Sequence, residues 1–120
     1  MTPDIILAQL RTLQRINPVA LSITRGVQAP CLLTACPAAS SGEMTGGDGS
    51  LTKYTLKDWL MASADFTLTS PAEPQRGDLI TVVASGKKYR VSHPDPNAPE
   101  VNPHGDCEPS IGWRVHSVPD

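Results

Sequence analysis

Apolar and polar side chains alternate along the last third of the chain, which is typical of strands in a half-buried antiparallel sheet. Between residues 76 and 93 the alternation runs through two segments that are separated by Ser85 and Gly86, a dipeptide that suits a two-residue turn. That turn would place Val82 opposite Tyr89 and gather the apolar side chains on one face. The pattern therefore predicts a β-hairpin whose register is set by its two unlike faces.

A further alternating strand is predicted over residues 112–118, after a proline-rich gap. Trp113 and Val115 fall on one face of this strand, and Arg114 and His116 fall on the other. We expect Trp113 to be a core residue. We expect His116 to be a solvated or interface residue, because the sequence shows no fixed carboxylate partner for it.

The first element predicted is an amphipathic helix over about residues 3–16. Ile6, Leu10 and Leu13 lie on one stripe, and Pro18 prevents the helix from continuing. The stripe predicts packing on the protein's own sheet. The alternative is that part of the stripe docks on a neighbouring subunit.

Two strands, Val19–Thr24 and residues 29–35, are predicted to pair as a hairpin across a turn at Gly26, and residues 51–62 predict another strand. Residues 37–50, between the predicted strands 29–35 and 51–62, consist mainly of Pro, Ala, Ser, Gly and Thr. Such a segment is too poor in large apolar side chains to hold a fixed structure alone. It is predicted to be a long flexible loop.

Composition agrees with a mainly β fold. The chain has 120 residues, which suits a single domain, and it carries 12 prolines and 9 glycines but only 4% aromatic residues. Together with the alternation, these values predict one small antiparallel β-barrel or sandwich over residues 1–120, with a short N-terminal α-helix and a long flexible loop.

The charge pattern argues against a domain that binds nucleic acid. The formal net charge is −2, whereas binding to the phosphate backbone needs clustered Lys and Arg. Lys87, Lys88 and Arg90 form the one dense basic run, which is more typical of a solvated hairpin end. The N-terminal segment lacks the basic start and the unbroken apolar run of a signal peptide or membrane span, so we expect no membrane contact.

The sequence shows no catalytic or metal-binding constellation. Cys31, Cys36 and Cys107 are an odd number of cysteines, at spacings that fit reduced thiols. His104 lies near Cys107, but the chain has no Cys-x-x-Cys or His-x-x-x-His spacing, and Cys31 and Cys36 would point to opposite faces of a strand. Nucleophile-elbow, phosphate-loop and zinc-protease motifs are also missing. We therefore predict no enzyme activity, no metal and no cofactor.

Five short motifs follow one another in a definite order. They are Lys57-Asp-Trp-Leu-Met61, Ala64-Asp-Phe66, Arg76-Gly-Asp-Leu-Ile80, Lys88-Tyr-Arg-Val91 and Trp113-Arg-Val-His-Ser117. With the helix and two strands that precede them, they make the chain resemble the head-tail joining proteins of long-tailed bacteriophages, which are also called head-closure or stopper proteins. The resemblance covers about residues 51–118 in motif and the first fifty residues in layout.

The resemblance implies a structural role in the virion. Proteins of this group look like small β-barrels or sandwiches that form a homo-oligomeric ring in the head-tail connector or neck. The implied partners are other copies of the chain, the portal or adaptor proteins, and the tail-terminator or tail-tube proteins. Such a ring closes the DNA channel, retains the packaged DNA and docks the tail, after assembly in the host cytoplasm.

Three surfaces are candidates for these contacts. The loop over residues 38–50 would line the channel or meet the neighbouring subunit. The outward face of the last two strands would meet an adjacent ring or subunit, and the N-terminal helix is the third candidate. The residues assigned to the first two surfaces are Ser41, Glu43, Met44, Asp48, Lys88, Arg90, Arg114 and His116.

Two alternatives remain open from the sequence. The first is a tail-terminator or tail-completion subunit with a similar small fold. The second is a small cytoplasmic β-barrel module that binds nucleic acid or a ligand, for which salt-dependent DNA binding by a monomer would be the signature.

Overall fold

The computed structural model of the chain describes residues 3–104 and 111–120. Within these residues the chain forms an α-helix, a short 3₁₀ helix and seven strands. Their bounds are α1 Pro3–Ile16, β1 Val19–Thr24, β2 Cys31–Thr45, β3 Leu51–Ala62, the 3₁₀ helix Ser63–Asp65, β4 Leu79–Val82, β5 Lys88–Val91, β6 Val101–Pro103 and β7 Gly112–Pro119. The sequence pattern predicted α1, β1 and β3 at these same bounds.

Six strands close into an antiparallel barrel. Around the barrel the order is β1, β2, β3, β7, β5 and β4, and β4 returns to β1. β7 closes the barrel because it pairs with β3 along one edge and with β5 along the other. The short strand β6 pairs with the N-terminal half of β7. The predicted fold class, a small antiparallel β-barrel with an N-terminal helix, is confirmed.

The barrel interior is filled by the inward side chains of alternating strand positions. Trp59 is the largest fully buried side chain and is 1% exposed. Its indole Nε1 donates to Ser117 Oγ at 3.0 Å, and that hydroxyl donates to Lys57 O at 2.7 Å, so these polar atoms of the core are paired. Trp113 is buried as predicted, and it packs edge-on against Phe66 with ring centroids 5.5 Å apart.

The N-terminal helix packs on the barrel, as predicted. Ile6 and Leu10 are buried, and Leu10 packs against Leu60 of β3. Leu13, which the pattern assigned to the same stripe, is 36% exposed, and Gln14 is buried at 4% exposed. Successive residues of an α-helix are rotated by about 100°, so residues four apart lie on nearly the same face. Gln14 follows Ile6 and Leu10 at this spacing, and it therefore lies on the buried face in place of Leu13. In the described ranges, no helix has the length and apolar character needed to cross a membrane.

The two cysteines in the described ranges are free thiols on opposite faces of β2. Cys31 is buried in the barrel core, whereas Cys36 packs beside Leu10 under the helix. The predicted orientation of these two side chains is therefore confirmed.

The β4–β5 hairpin keeps its predicted faces but not its predicted register. Ile80 lies opposite Tyr89, whereas a two-residue turn would have placed Val82 there. The turn is longer than predicted, because the Val82 N–H donates to Lys87 O at 2.8 Å and the Gly86 N–H donates to Val82 O at 2.7 Å. Since the register moves by two residues, each side chain stays on its predicted face.

The prediction of a flexible loop over residues 37–50 is wrong. β2 continues through this segment to Thr45 and pairs with β3. The remaining turn is closed by the Gly46 N–H, which donates to Ser50 O at 2.7 Å, and by the Asp48 carboxylate, which accepts from Ser50 N at 3.0 Å. Main-chain pairing supplies the order that small side chains cannot, because ladder hydrogen bonds do not depend on side-chain size.

Arg25 ties the long connector between β3 and β4 to the barrel. Its guanidinium holds Asp78 in a bidentate pair, with Nε and Nη2 2.8 and 2.7 Å from the two carboxylate oxygens. It also donates to the main-chain oxygens of Thr69, Pro71 and Glu73. The hydrogen bond to Asp78 raises the pKa of Arg25 above its ordinary value. This buried pair fixes a connector that has little regular structure of its own.

We expect Gly112→Ala to destabilise the fold by about 1–3 kcal/mol through overpacking. A Cβ at Gly112 would lie 2.6 Å from Leu10 Cδ2 and 2.6 Å from Met61 O, and main chain cannot move aside as a side chain can. Gly47→Ala is the matched control, because a Cβ there meets nothing within 4 Å. Urea unfolding measures both variants. Equal midpoints would contradict the packing of α1 on the barrel at this position.

Candidate functional site

β2 and β3 extend beyond the barrel as a two-stranded arm. The β1 ladder on β2 ends at Ala35, and the β7 ladder on β3 ends at Lys57. Past these points the two strands pair with each other alone, within the described ranges, from Ser40 opposite Leu56 to the turn. We call residues 40–56 the arm. At about 3.3 Å per strand residue, the arm is roughly 20 Å long.

The arm carries four of the predicted contact residues. Ser41, Glu43 and Asp48 are exposed, and Met44 is half-buried. Leu51, at the start of β3, is 66% exposed although it is a large apolar residue. A two-stranded arm with free edges and an exposed apolar side chain is suited to contact with another chain.

A buried carboxylate, Asp58, lies at the base of the arm. Asp58 is 0% exposed, and its Oδ1 lies 2.8 Å from His116 Nδ1. Its Oδ2 accepts from Arg114 Nε at 2.7 Å and from the Ser40 hydroxyl. We call Ser40, Asp58, Arg114 and His116 the polar anchor.

The polar anchor joins three strands. Ser40 belongs to β2, Asp58 to β3, and Arg114 and His116 to β7. Arg114 reaches further and donates from Nη2 to Ala39 O at 3.1 Å. Bending the arm at its base would break the bond from Ser40, the one member of the polar anchor that belongs to the arm, and a lost hydrogen bond to a buried carboxylate is costly.

His116 is 7% exposed and bonds to Asp58, so the predictions that it is solvated and that it has no carboxylate partner are wrong. When Nδ1–H donates to Asp58, Nε2 accepts from the side-chain amide of Asn102 at 2.8 Å, which satisfies a neutral imidazole. His93 packs edge-on against His116 with ring centroids 5.5 Å apart, and Tyr54 of the arm packs edge-on against His93 at 5.0 Å. This ring stack extends the contacts of the polar anchor along the arm.

The surroundings of Asp58 lower its pKa. Burial alone would raise the pKa, but hydrogen bonds from Ser40, His116 and Arg114 together outweigh burial and hold it below the ordinary value of a carboxyl. Asp58 is therefore ionised at neutral pH. The polar anchor is a buried carboxylate with a donor on each neighbouring strand.

The geometry of the polar anchor differs from that of a catalytic triad. The Ser40 hydroxyl lies 3.5 Å from His116 Nδ1, the ring nitrogen that already bonds to Asp58. A serine nucleophile needs the opposite ring nitrogen as its base, and Asn102 occupies that position. Within residues 3–104 and 111–120, no three His, Cys, Asp or Glu side chains are grouped so that they could hold a metal ion. Cys107, considered above as a metal ligand, lies outside the described residues.

The remaining predicted contact residues lie on the outer face of β5 and do not join the polar anchor. Lys88 is exposed. Arg90 pairs with Asp120, with Nη2 2.9 Å from Oδ1. Arg90 lies opposite Val118, which is two residues from His116 on the same face of β7.

Sequence reasoning missed Asp58 and Asn102. Asp58 lies between Leu56 and Leu60 on one face of β3, and a carboxylate between two apolar neighbours at two-residue spacing indicates a buried, paired acid. That signal was present in the sequence. Asn102 carries no comparable signal, because β6 is three residues long and lies in a proline-rich segment.

The chain matches the model of a known protein family. A family model described as "Phage head-tail joining protein" matches residues 5–119, a span that includes the barrel, the arm and the polar anchor. A search of curated proteins found no match to the chain.

We expect Asp58→Asn to destabilise the protein by about 1–3 kcal/mol, because the amide accepts fewer hydrogen bonds than the carboxylate and brings two buried donors of its own. Glu43→Gln makes the same chemical change on the exposed arm and should alter stability by less than about 0.5 kcal/mol. Chemical denaturation at neutral pH compares the two variants. Similar losses of stability would contradict the role of the polar anchor.

The stabilisation by Asp58 should also depend on pH. Since its folded-state pKa lies below the unfolded value of about 3.9, the contribution is complete above that value and is lost as the pH falls through the folded pKa. The difference in unfolding free energy between the wild type and Asp58→Asn should therefore be largest near neutral pH. It should shrink as the solution is acidified below about pH 4. A difference that does not change on acidification would show that Asp58 is not an ionised partner in the fold.

Proposed function

The chain belongs to the phage head-tail joining protein family, and from this premise we propose that copies of it form a closed ring in the neck of the virion. The family has a structural role at the interface between head and tail. The ring would lie between the portal or adaptor proteins and the tail-terminator or tail-tube proteins, and it would assemble in the host cytoplasm. The proposed role contains no enzymatic step.

The arm is the observation that carries the proposal. A closed barrel has no free sheet edge, so the barrel alone offers little for strand pairing with a neighbour. The arm adds a protruding element of roughly 20 Å, long enough to cross the boundary between two copies. A two-stranded hairpin is marginally stable in water by itself, so contact with another chain would stabilise it.

The charge of the chain supports passage of DNA through the ring without tight binding. The formal net charge is −2, and the exposed part of the arm carries Glu43 and Asp48. Copies with this charge do not attract the phosphate backbone, so the ring would not hold DNA by salt-dependent contacts. Closure of the channel would then be steric, by the arms or by the ring itself.

The outer face of β5 and β7 is the surface that we assign to an adjacent ring. Lys88 is exposed, and the side chains of Arg90 and Arg114 are 43% and 37% exposed. Arg90 and Arg114 are each paired with a carboxylate of the same chain, so Lys88 is the cation that this face offers to an acidic group on a portal, adaptor or tail protein. His116, at 7% exposed, contributes little area to this surface.

Electron microscopy of particles labelled on this chain tests the proposed location. Density at the junction of head and tail supports the ring. Density only at the end of free tails would identify a tail-terminator or tail-completion subunit instead. Binding of a purified monomer to DNA with a steep salt dependence would favour a nucleic-acid-binding module.

Replacing residues 42–54 by an Asn-Gly turn should leave a folded barrel that no longer supports infectious particles. The new turn joins Ser41 to Thr55, which lie opposite each other in the ladder, and it keeps the polar anchor. The control places Asn-Gly at residues 85–86, in the β4–β5 turn. Complementation of a phage that lacks the gene measures infectious yield, and circular dichroism checks folding. A normal yield from the variant without the arm would remove the arm from the proposed function.

A further inference from the structure

A groove of about 500 Å³ runs between the C-terminal half of α1 and β2, and it is open to solvent along one side. Ala8, Gln14 and Arg15 of α1 form one wall. Pro18 and Thr34 contribute to the other wall. We call this cavity the helix groove.

The helix groove contains polar groups that lack partners. Gln14 is 4% exposed, and its Oε1 accepts from Arg11, but its Nε2 has no hydrogen-bond partner within the described residues. Arg11 is neutralised by Asp65 at 2.6 Å. Arg15 is exposed, donates to Thr12 Oγ1 at 3.3 Å and forms no ion pair in the described part of the chain. An occupant of the groove that brings a carboxylate would pair with Arg15, whereas Gln14 Nε2 is too deeply buried to be reached.

Apolar surface continues from the helix groove. Ile16, at the end of α1, is 75% exposed. Through Thr34 the groove borders a shallow depression on the outer face of the sheet, where Leu32 and Val83 are 72% and 58% exposed. Large exposed apolar side chains near a groove are typical of a contact site.

One face of the arm has the complementary chemistry. Leu51 is 66% exposed and lies opposite Thr45, and Glu43 lies two residues further along the same face. Lys53 lies opposite Glu43, but these two side chains form no ion pair, and neither does Asp48 within the described residues. This face of the arm therefore presents a large apolar side chain, Leu51, and one carboxylate, Glu43, that forms no ion pair within the described residues.

The arm cannot place this face in the helix groove of its own chain. Thr34 lines the groove, and Thr45 is the last residue of β2 before the turn of the arm. Both residues belong to the continuous strand β2. At about 3.3 Å per residue, the strand between them spans roughly 36 Å. A contact between arm and groove therefore needs a second copy of the chain.

We propose that the arm of one copy docks in the helix groove of the next copy, with Glu43 at Arg15 and Leu51 against Ala8 and Pro18, the apolar residues that line the groove. The inference rests on the proposed ring and names the contact that would close it. The two surfaces are different parts of the chain, so the contact is heterologous, and a heterologous contact closes a ring when the rotation between neighbouring copies returns to the first copy. The occupant is a second copy because, within the described residues, one chain carries both an arm with an exposed Leu51 and an unpaired Glu43 and a groove with an unpaired Arg15.

Charge reversal and exchange test the pairing. Glu43→Arg and Arg15→Glu should each weaken self-association of the full chain by about tenfold or more, and the double variant should recover most of the loss. Lys87→Glu, a reversal in the exposed β4–β5 turn, should leave self-association unchanged. Sedimentation velocity over a range of protein concentrations measures the association. Single reversals without effect, or a double variant no better than the singles, would overturn the contact.

A second pair of variants tests the apolar half of the contact. Leu51→Ser should weaken self-association, whereas Val27→Ser should not, because Val27 is 105% exposed and lies in the β1–β2 turn away from the groove. Circular dichroism confirms that both variants fold. Equal effects of the two substitutions would overturn the assignment of Leu51 to the groove.

The outcomes separate this contact from the proposed function. If the wild-type protein is found at the head-tail junction but the double variant does not recover self-association, the proposed function is supported and the proposed contact is overturned. Variants that self-associate normally but lose tail attachment would show that the groove holds a tail or portal protein, which also overturns the contact. The contact is equally overturned if the wild-type chain shows no contact between copies, either in solution or after chemical cross-linking of purified particles.

Discussion

The rest of the structure depends on the pairing of β7 along both of its edges. Because β3 and β5 both bond to β7, the sheet has no free edge around the barrel, and the core that includes Trp59 and Val115 is enclosed. The same strand carries Arg114 and His116 to the carboxylate of Asp58. Closure of the barrel and orientation of the arm therefore follow from one set of strand contacts.

The polar anchor matters more for direction than for stability. A buried ion pair gains less net free energy than its short distances suggest, because both charges lose their hydration. Displacing the arm, however, would take the Ser40 hydroxyl away from the buried carboxylate of Asp58, and losing a hydrogen bond to a buried charge is costly. The barrel core holds the molecule together, and the anchor sets the path along which the arm leaves it. This division suits a family whose members join two large assemblies.

The arm shows why residues can be assigned to a surface while the surface itself is misjudged. Composition between residues 37 and 50 correctly indicated that this segment buries no large core side chains, and Ser41, Glu43 and Asp48 are indeed exposed. It did not indicate an absence of regular structure, because a β-ladder is held by main-chain hydrogen bonds that small residues form as well as large ones. Strand pairing, and not side-chain burial, orders the arm.

Periodicity in the sequence was sufficient for the helix, for most strands and for the inward face of each, because alternate burial is recorded in neighbouring residues, as at Trp113. The alternation of apolar and polar residues did not determine the register of the β4–β5 hairpin, because the register depends on the geometry of the turn. The contacts within the polar anchor could not be predicted from local sequence patterns. Asp58 and His116 are 58 residues apart, and they meet only because β7 pairs with β3. No local pattern specifies a partner across that distance, so the tertiary structure alone decided that these two side chains are buried together.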